Sequence, residues 1–143
     1  MDLCIKPGEQ AQFSKTIGET EISLFAGITG DFAPIHVDEE VGRKNSLGTR
    51  IAHGVLVLGL LSTTSSVISA RSIERGCKGF PVSLGYDRVR FLKPVRLGDT
   101  VTARYTVLEV DPEARRTRSK CEAFNQHGEL CLAAEHIMKW LES

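Results

Sequence analysis

The sequence lacks a surplus of charge of either sign: 18 Lys and Arg offset 18 Asp and Glu. Proteins that coat nucleic acid or an anionic membrane surface carry a basic excess, so neither is expected as a partner. Cysteine is sparse. Cys4, Cys77, Cys121 and Cys131 form no C-x-x-C pair and no cluster with His. That scatter argues against a zinc site and against a secreted disulfide framework; free thiols in a reducing cytoplasm are the simplest account. Met1-Asp2-Leu3-Cys4-Ile5-Lys6-Pro7 lacks the basic-then-apolar order of a signal peptide. There is one long uncharged run, Ile51–Ala70, flanked by Arg50 and Arg71. It has the length of a membrane span, but Ser62, Thr63, Thr64, Ser65, Ser66 and Ser69 make its second half too polar. A buried helix in a soluble fold is the expectation.

What is present is globular: 41% apolar and 25% charged residues over 143 positions. A chain of this length forms one domain, here residues 1–143, and buries about two thirds of its unfolded surface without disulfide or metal. Gln10–Ile17 alternates weakly and predicts a first strand. Thr20 is expected to cap a short helix, Glu21–Gly27, in which Ile22, Phe25 and Ala26 recur at helical spacing. Gly27 and Gly30 open a loop, and Pro34 forbids the helix from continuing. Asp38 is placed to cap a second short helix, Glu39–Lys44, whose first turn carries Glu39 and Glu40. In the long helix Val55, Leu56, Val57, Leu58, Leu60 and Leu61 are apolar nearly all round, which predicts burial on most sides.

From Phe80 the period changes to two. Val82–Phe91, Thr100–Val110, Arg116–Phe124 and Glu129–Leu141 read as strands separated by turns rich in Pro, Gly, Asp and Asn. In Arg116–Phe124 the even positions are charged and the odd ones small, so one face meets water and the other packs. Leu130, Leu132, Ala134, Met138 and Trp140 share a face of the last strand, interrupted by His136. A sheet of about five strands can wrap one helix in an α+β layer architecture.

Asp31 and His36 are the first candidates for chemistry. A carboxylate and an imidazole on one Gly/Pro-punctuated loop can hold a water between them and move protons, worth about 10²–10⁴-fold in rate. By spacing alone, Asp31 capping a turn beside a satisfied polar His36 fits as well. His53-Gly54 is the second feature. The first amides of a helix are unpaired and positive, so the Gly54 N–H can polarise a carbonyl oxygen, although Gly54 could equally serve close packing. Ser62, two turns on, could reach the same pocket or bond back to its own helix.

Phe25-Ala26-Gly27-Ile28-Thr29-Gly30-Asp31-Phe32-Ala33-Pro34-Ile35-His36 resembles the signature of the MaoC-like (R)-specific enoyl-CoA hydratases, the hydratase 2 group of the hot-dog fold. Ile51-Ala52-His53-Gly54-Val55-Leu56 resembles the start of that family's central helix, and Val89–Asp99 its strand–turn segment. The resemblance implies a sheet of about five strands around a long central helix, with Asp31 and His36 as the catalytic pair. It further implies that the Gly54 amide binds the thioester carbonyl and that Ser62 is an accessory polar residue near the pair. The expected reaction is reversible hydration of trans-2-enoyl-CoA to the (R)-3-hydroxyacyl thioester. Two positions depart from the pattern. Ala33 stands where the family usually has Asn, which puts the loop's internal hydrogen bonding in question. Gly42 stands where Ala or Ser is common.

CoA phosphates need cations, and Arg43, Lys44, Arg88, Arg90, Lys93 and Arg96 are available. Val55, Leu58 and Phe80 are candidates for the acyl pocket. No metal or organic cofactor is indicated, since His36 and Asp38 have no third ligand at useful spacing. An acyl-CoA thioesterase and a non-catalytic acyl-CoA-binding subunit are the alternatives on this fold. The uncharged Ile51–Ala70 run, with no Asp or Glu, counts against the former and the Asp31/His36 pair against the latter. A lone sheet on one helix leaves an edge and an apolar flank, so a homodimer is expected.

Overall fold

The structure is a computed structural model and describes residues 1–142. Its elements run β1 (Gln10–Thr16), α1 (Glu19–Thr29), α2 (Pro34–Val37), α3 (Glu39–Lys44), α4 (Gly54–Glu74), β2 (Phe80–Phe91), β3 (Thr100–Asp111), β4 (Arg116–Phe124) and β5 (Leu130–Leu141). The five strands form one antiparallel sheet in the order β1-β3-β4-β5-β2. Helix α4 lies across one face of it, which is the hot-dog arrangement.

Period-two patterning builds the face beneath α4. Thr117, Ser119, Cys121 and Ala123 of β4 are buried, as are Leu132, Ala134, Met138 and Trp140 of β5. His136 does not break that face. It is fully buried, with Tyr105 Oη 2.8 Å from Nδ1 and Ser83 Oγ 2.7 Å from Nε2. Burial pushes its pKa down to about 4, so the ring stays neutral at ordinary pH.

The all-round burial expected of the long helix is corrected. Val57, Leu60, Leu61, Thr64 and Ile68 face the sheet, whereas Val55, Val67 and Ile73 are exposed. Two of its hydroxyls enter the core by bonding back to their own helix, Thr64 Oγ1 to Leu61 O at 2.7 Å and Ser65 Oγ to Ser62 O at 2.8 Å, whereas the buried Ser72 Oγ donates to Leu3 O at 2.6 Å.

Several boundaries differ from expectation, α4 for instance running on to Glu74, and three have a visible cause. The first helix begins at Glu19, because the Glu21 carboxylate accepts the Gly18 N–H at 2.9 Å; Gly18, not Thr20, is the cap. His36 sits in a four-residue helix that Pro34 starts at its first position rather than in open loop. The long helix begins at Gly54 because Ile51 and Ala52 are extended, Ile51 bridging Arg96 and the Ala52 N–H bonding Val95 O at 2.8 Å. Asp38 caps α3 as expected, accepting the Glu40 and Val41 amides at 2.9 and 3.2 Å.

Candidate active site

The site lies where the α1–α2 loop, the amino end of α4 and the carboxyl end of β2 meet. Gly30 caps the end of α1 with a φ of 81°, a conformation that favours glycine, and its N–H returns to Ala26 O. Thr29 Oγ1 bonds Phe25 O and accepts the Asp31 N–H at 3.2 Å. Asp31 Oδ1 in turn accepts the Ala33 N–H at 3.2 Å. This Asx turn uses the main chain of residue 33, so the replacement of Asn by Ala leaves the bond in place.

His36 Nδ1 lies 2.7 Å from Ile51 O. A carbonyl only accepts, so Nδ1 carries the hydrogen and Nε2 presents a lone pair. The ligand-capable atoms of Asp31, His36 and His53 lie within 4.8 Å of one another. One water donating to both groups at ordinary hydrogen-bond lengths of about 2.8 Å spans such a gap.

His53 ties these pieces together. It is 2% exposed and caps α4, its Nε2–H donates to Asp31 O at 2.9 Å, and its ring stacks on His36 with centroids 3.9 Å apart and planes 28° from parallel. Phe25 packs on the same imidazole at 4.6 Å. Unlike the His36 and Asp38 pair read from the sequence, the trio of Asp31, His36 and His53 has the spacing of a metal-ligand set.

Gly54 is the first residue of α4, so its N–H has no intrahelical acceptor, and it has no other partner among the described residues. A Cβ at this position would stand 2.7 Å from Cδ1 and Cε1 of Phe91.

Two cavities share His36, Gly54 and Phe91. The inner one, about 270 Å³, is walled by Ala52, Val57, Leu92, Val95 and Leu132. The outer one, about 310 Å³, carries Asp31, His53, Phe25 and Val55. An apolar chamber and a chamber bearing the titratable groups therefore adjoin at one imidazole and one free helix amide. That arrangement can bind an apolar chain, polarise a carbonyl beside it and move a proton nearby.

The structure brings Asp31, His36 and Gly54 together but not Ser62. That residue lies on the exposed side of α4 and lines neither cavity. Val55 lines the outer cavity, while Leu58 and Phe80 line neither. Among the cations, Arg43 and Lys44 pair with Glu40, Lys93 pairs with Glu129, and Arg96 donates to Leu47 O. Lys93 alone of the six lines the inner cavity. Sequence reading left His53 and Phe91 without roles of their own. The signal for His53 was its place directly before Gly54; nothing local marks Phe91.

Residues 5–128 match the family described as MaoC like domain. The chain is 41% identical over 111 residues to the (R)-specific enoyl-CoA hydratase of Rhodospirillum rubrum, covering 78% of this chain and 72% of that one. It is 36% identical over 125 residues to the 3-hydroxybutyryl-CoA dehydratase of Methylorubrum extorquens, covering 87% and 74%. The solved (R)-hydratase from A. caviae involved in PHA biosynthesis superposes with a TM-score of 0.81 at 27% identity, covering 94% of this chain and 96% of that one.

Proposed function

This chain belongs to the MaoC-like domain family, and from that premise we infer that it is a hydro-lyase that adds water to trans-2-enoyl-CoA. The product is the (R)-3-hydroxyacyl-CoA, and the reaction runs in both directions. The observation that carries the assignment of roles is the convergence, within 4.8 Å, of the Asp31 carboxylate and the His36 ring at the junction of the two cavities.

The Gly54 N–H donates to the thioester carbonyl oxygen. Electron density is drawn from C3 through the conjugated double bond, so C3 becomes electrophilic and negative charge gathers on that oxygen at the positive end of α4. A water donates one hydrogen to the Asp31 carboxylate and one to His36 Nε2, which turns its lone pair towards C3. The O–C3 bond forms as one of the pair takes a proton from the water, the C2=C3 π bond breaks, and the pair returns a proton to C2. The pair thus ends with the charge it began with. Neither metal nor organic cofactor takes part in this scheme.

Loss of the enoyl absorbance of crotonyl-CoA, with the (R)-3-hydroxybutyryl thioester as product by chiral chromatography, is the expected result. Release of free CoA thiol instead would make the protein a thioesterase, and binding without turnover a non-catalytic subunit.

The working assembly is a homodimer. The two sheet edges differ: β1 presents Gln10, Gln12, Ser14 and Lys15, whereas β2 carries exposed Phe80, Leu84 and Phe91. Polar residues protect a free edge, and apolar ones suit a covered edge. The exposed Val55, Val67 and Ile73 of α4 add apolar area for a second copy. Sedimentation at micromolar concentration is expected to return twice the 15.7 kDa chain mass, and a 15.7 kDa species overturns the dimer. Four unpaired cysteines, three of them buried, support a cytoplasmic location.

A further inference from the structure

We propose that Arg50 is a positioning residue for the hydration step, holding His36 in register with the Gly54 amide through a two-carboxylate clamp on its buried guanidinium. The proposal rests on the reading of His36 as a proton-transfer group. Arg50 is 6% exposed. A guanidinium so deep in the protein needs its donors answered, and four bonds do so. Nη1 donates to Glu19 Oε1 at 3.0 Å and to His36 O at 3.2 Å, Nε donates to Glu39 Oε2 at 3.0 Å, and Nη2 completes a bidentate pair with Glu19. Glu19 opens α1 and Glu39 opens α3, so one side chain joins the amino ends of both helices to the carbonyl of the histidine between them.

The next residue grips the same histidine from the other side. Ile51 O accepts the ring Nδ1–H at 2.7 Å, and the Ile51 N–H bonds Ile35 O at 3.3 Å. Residues 50 and 51 therefore fix both the main chain and the ring of His36. They are themselves anchored to the 95–97 segment, through the Ile51–Arg96 bridge and the Leu97 N–H to Arg50 O bond. Three residues on, Gly54 starts α4. The distance from imidazole to amide is set across this short path, not across the sheet.

Gly42 belongs to the same device. A Cβ there would lie 2.6 Å from both the main-chain nitrogen and Cγ of Arg50, so α3 closes over the guanidinium only because residue 42 has no side chain. Apart from the clamp, α2 is a helix of four residues with few bonds of its own, chiefly His36 N–H to Ala33 O and Asp38 N–H to Pro34 O. Among the described residues, Arg50 is the one donor that holds the His36 carbonyl.

The test is Arg50→Met beside Arg50→Lys, read by crotonyl-CoA kinetics and by ¹⁵N resonances of the His36 ring. A displacement of about 1 Å at a reacting group costs on the order of 10²-fold in rate. Arg50→Met is therefore expected to lower kcat about that much with KM little changed, and to replace the single Nδ1–H tautomer of His36 by a mixture. Arg50→Lys, which keeps the charge and some donors, is expected to recover part of both. A folded Arg50→Met variant with wild-type kcat and an unmixed Nδ1–H signature overturns the proposal. If Arg50→Met does not fold, the Glu19→Gln/Glu39→Gln double variant decides, because both carboxylates are largely exposed. A kcat reduced about tenfold supports the clamp, and unchanged kcat and ring signature refute it. Failure of the wild-type protein to hydrate crotonyl-CoA would refute the assigned reaction instead, and the ring resonances would still decide whether Arg50 sets the geometry of His36.

Discussion

Asp31→Asn and His36→Ala are each expected to lower kcat for crotonyl-CoA hydration by about 10²–10⁴-fold, the usual worth of a positioned acid–base group, with KM changed far less. In Asp31→Asn the side-chain carbonyl can still accept the Ala33 N–H at 3.2 Å, so the Asx turn survives. The other atom becomes an amide nitrogen that donates where the carboxylate accepted, and the water loses one of its two acceptors. His36→Ala removes the Nε2 lone pair and also the ring stacked on His53 at 3.9 Å. Because the two groups handle one proton between them, the double variant should be little worse than the poorer single one. Initial rates at the enoyl absorbance band measure all three. Wild-type kcat in either single variant would take that residue out of the reaction.

Gly54→Val is expected to reduce kcat/KM by about 10²–10³-fold, the scale of losing one oxyanion donor. The N–H itself remains, but a side chain at this position meets Phe91 at 2.7 Å and stands at the junction of both cavities. The carbonyl can then no longer approach the amide. Phe91 is exposed and can swing away, so crowding and access are separable. Gly54→Ala/Phe91→Ala should recover the thermal stability lost to crowding while leaving turnover impaired. If the double variant restores full turnover, the missing side chain at residue 54 serves only to let Phe91 pack.

Much of this was legible in the residues. The alternation in Arg116–Phe124 gave β4 with its ends correct, since one face of that strand packs and the other meets water. That Asp31, His36 and Gly54 meet at one cavity was legible because glycine, proline and helix-start signals act over a few residues. Ser62 shows the limit of such reasoning. Eight positions along a helix leave a residue about 80° round from its starting point. Leu61, seven positions on, is the one that returns nearer the face of Gly54, and it is buried whereas Ser62 is exposed. The start of α4 was misplaced by three residues for a different reason. Ile51 and Ala52 are held extended by Arg96 and Val95, more than forty positions away, and no local pattern records that pairing. Arg50 was visible only as a charge flanking an uncharged run; its two carboxylates are 31 and 11 positions distant.

The groups proposed to handle protons and polarise the carbonyl all come from residues 31–54, while much of the apolar lining comes from Phe91–Val95 and from Cys131 and Leu132. Reactivity and appetite are thus written in separate paragraphs of the chain. Drift in the late strands can retune which acyl groups are admitted while the bond-making apparatus stays as it is, so relatives that differ in diet need not differ in chemistry.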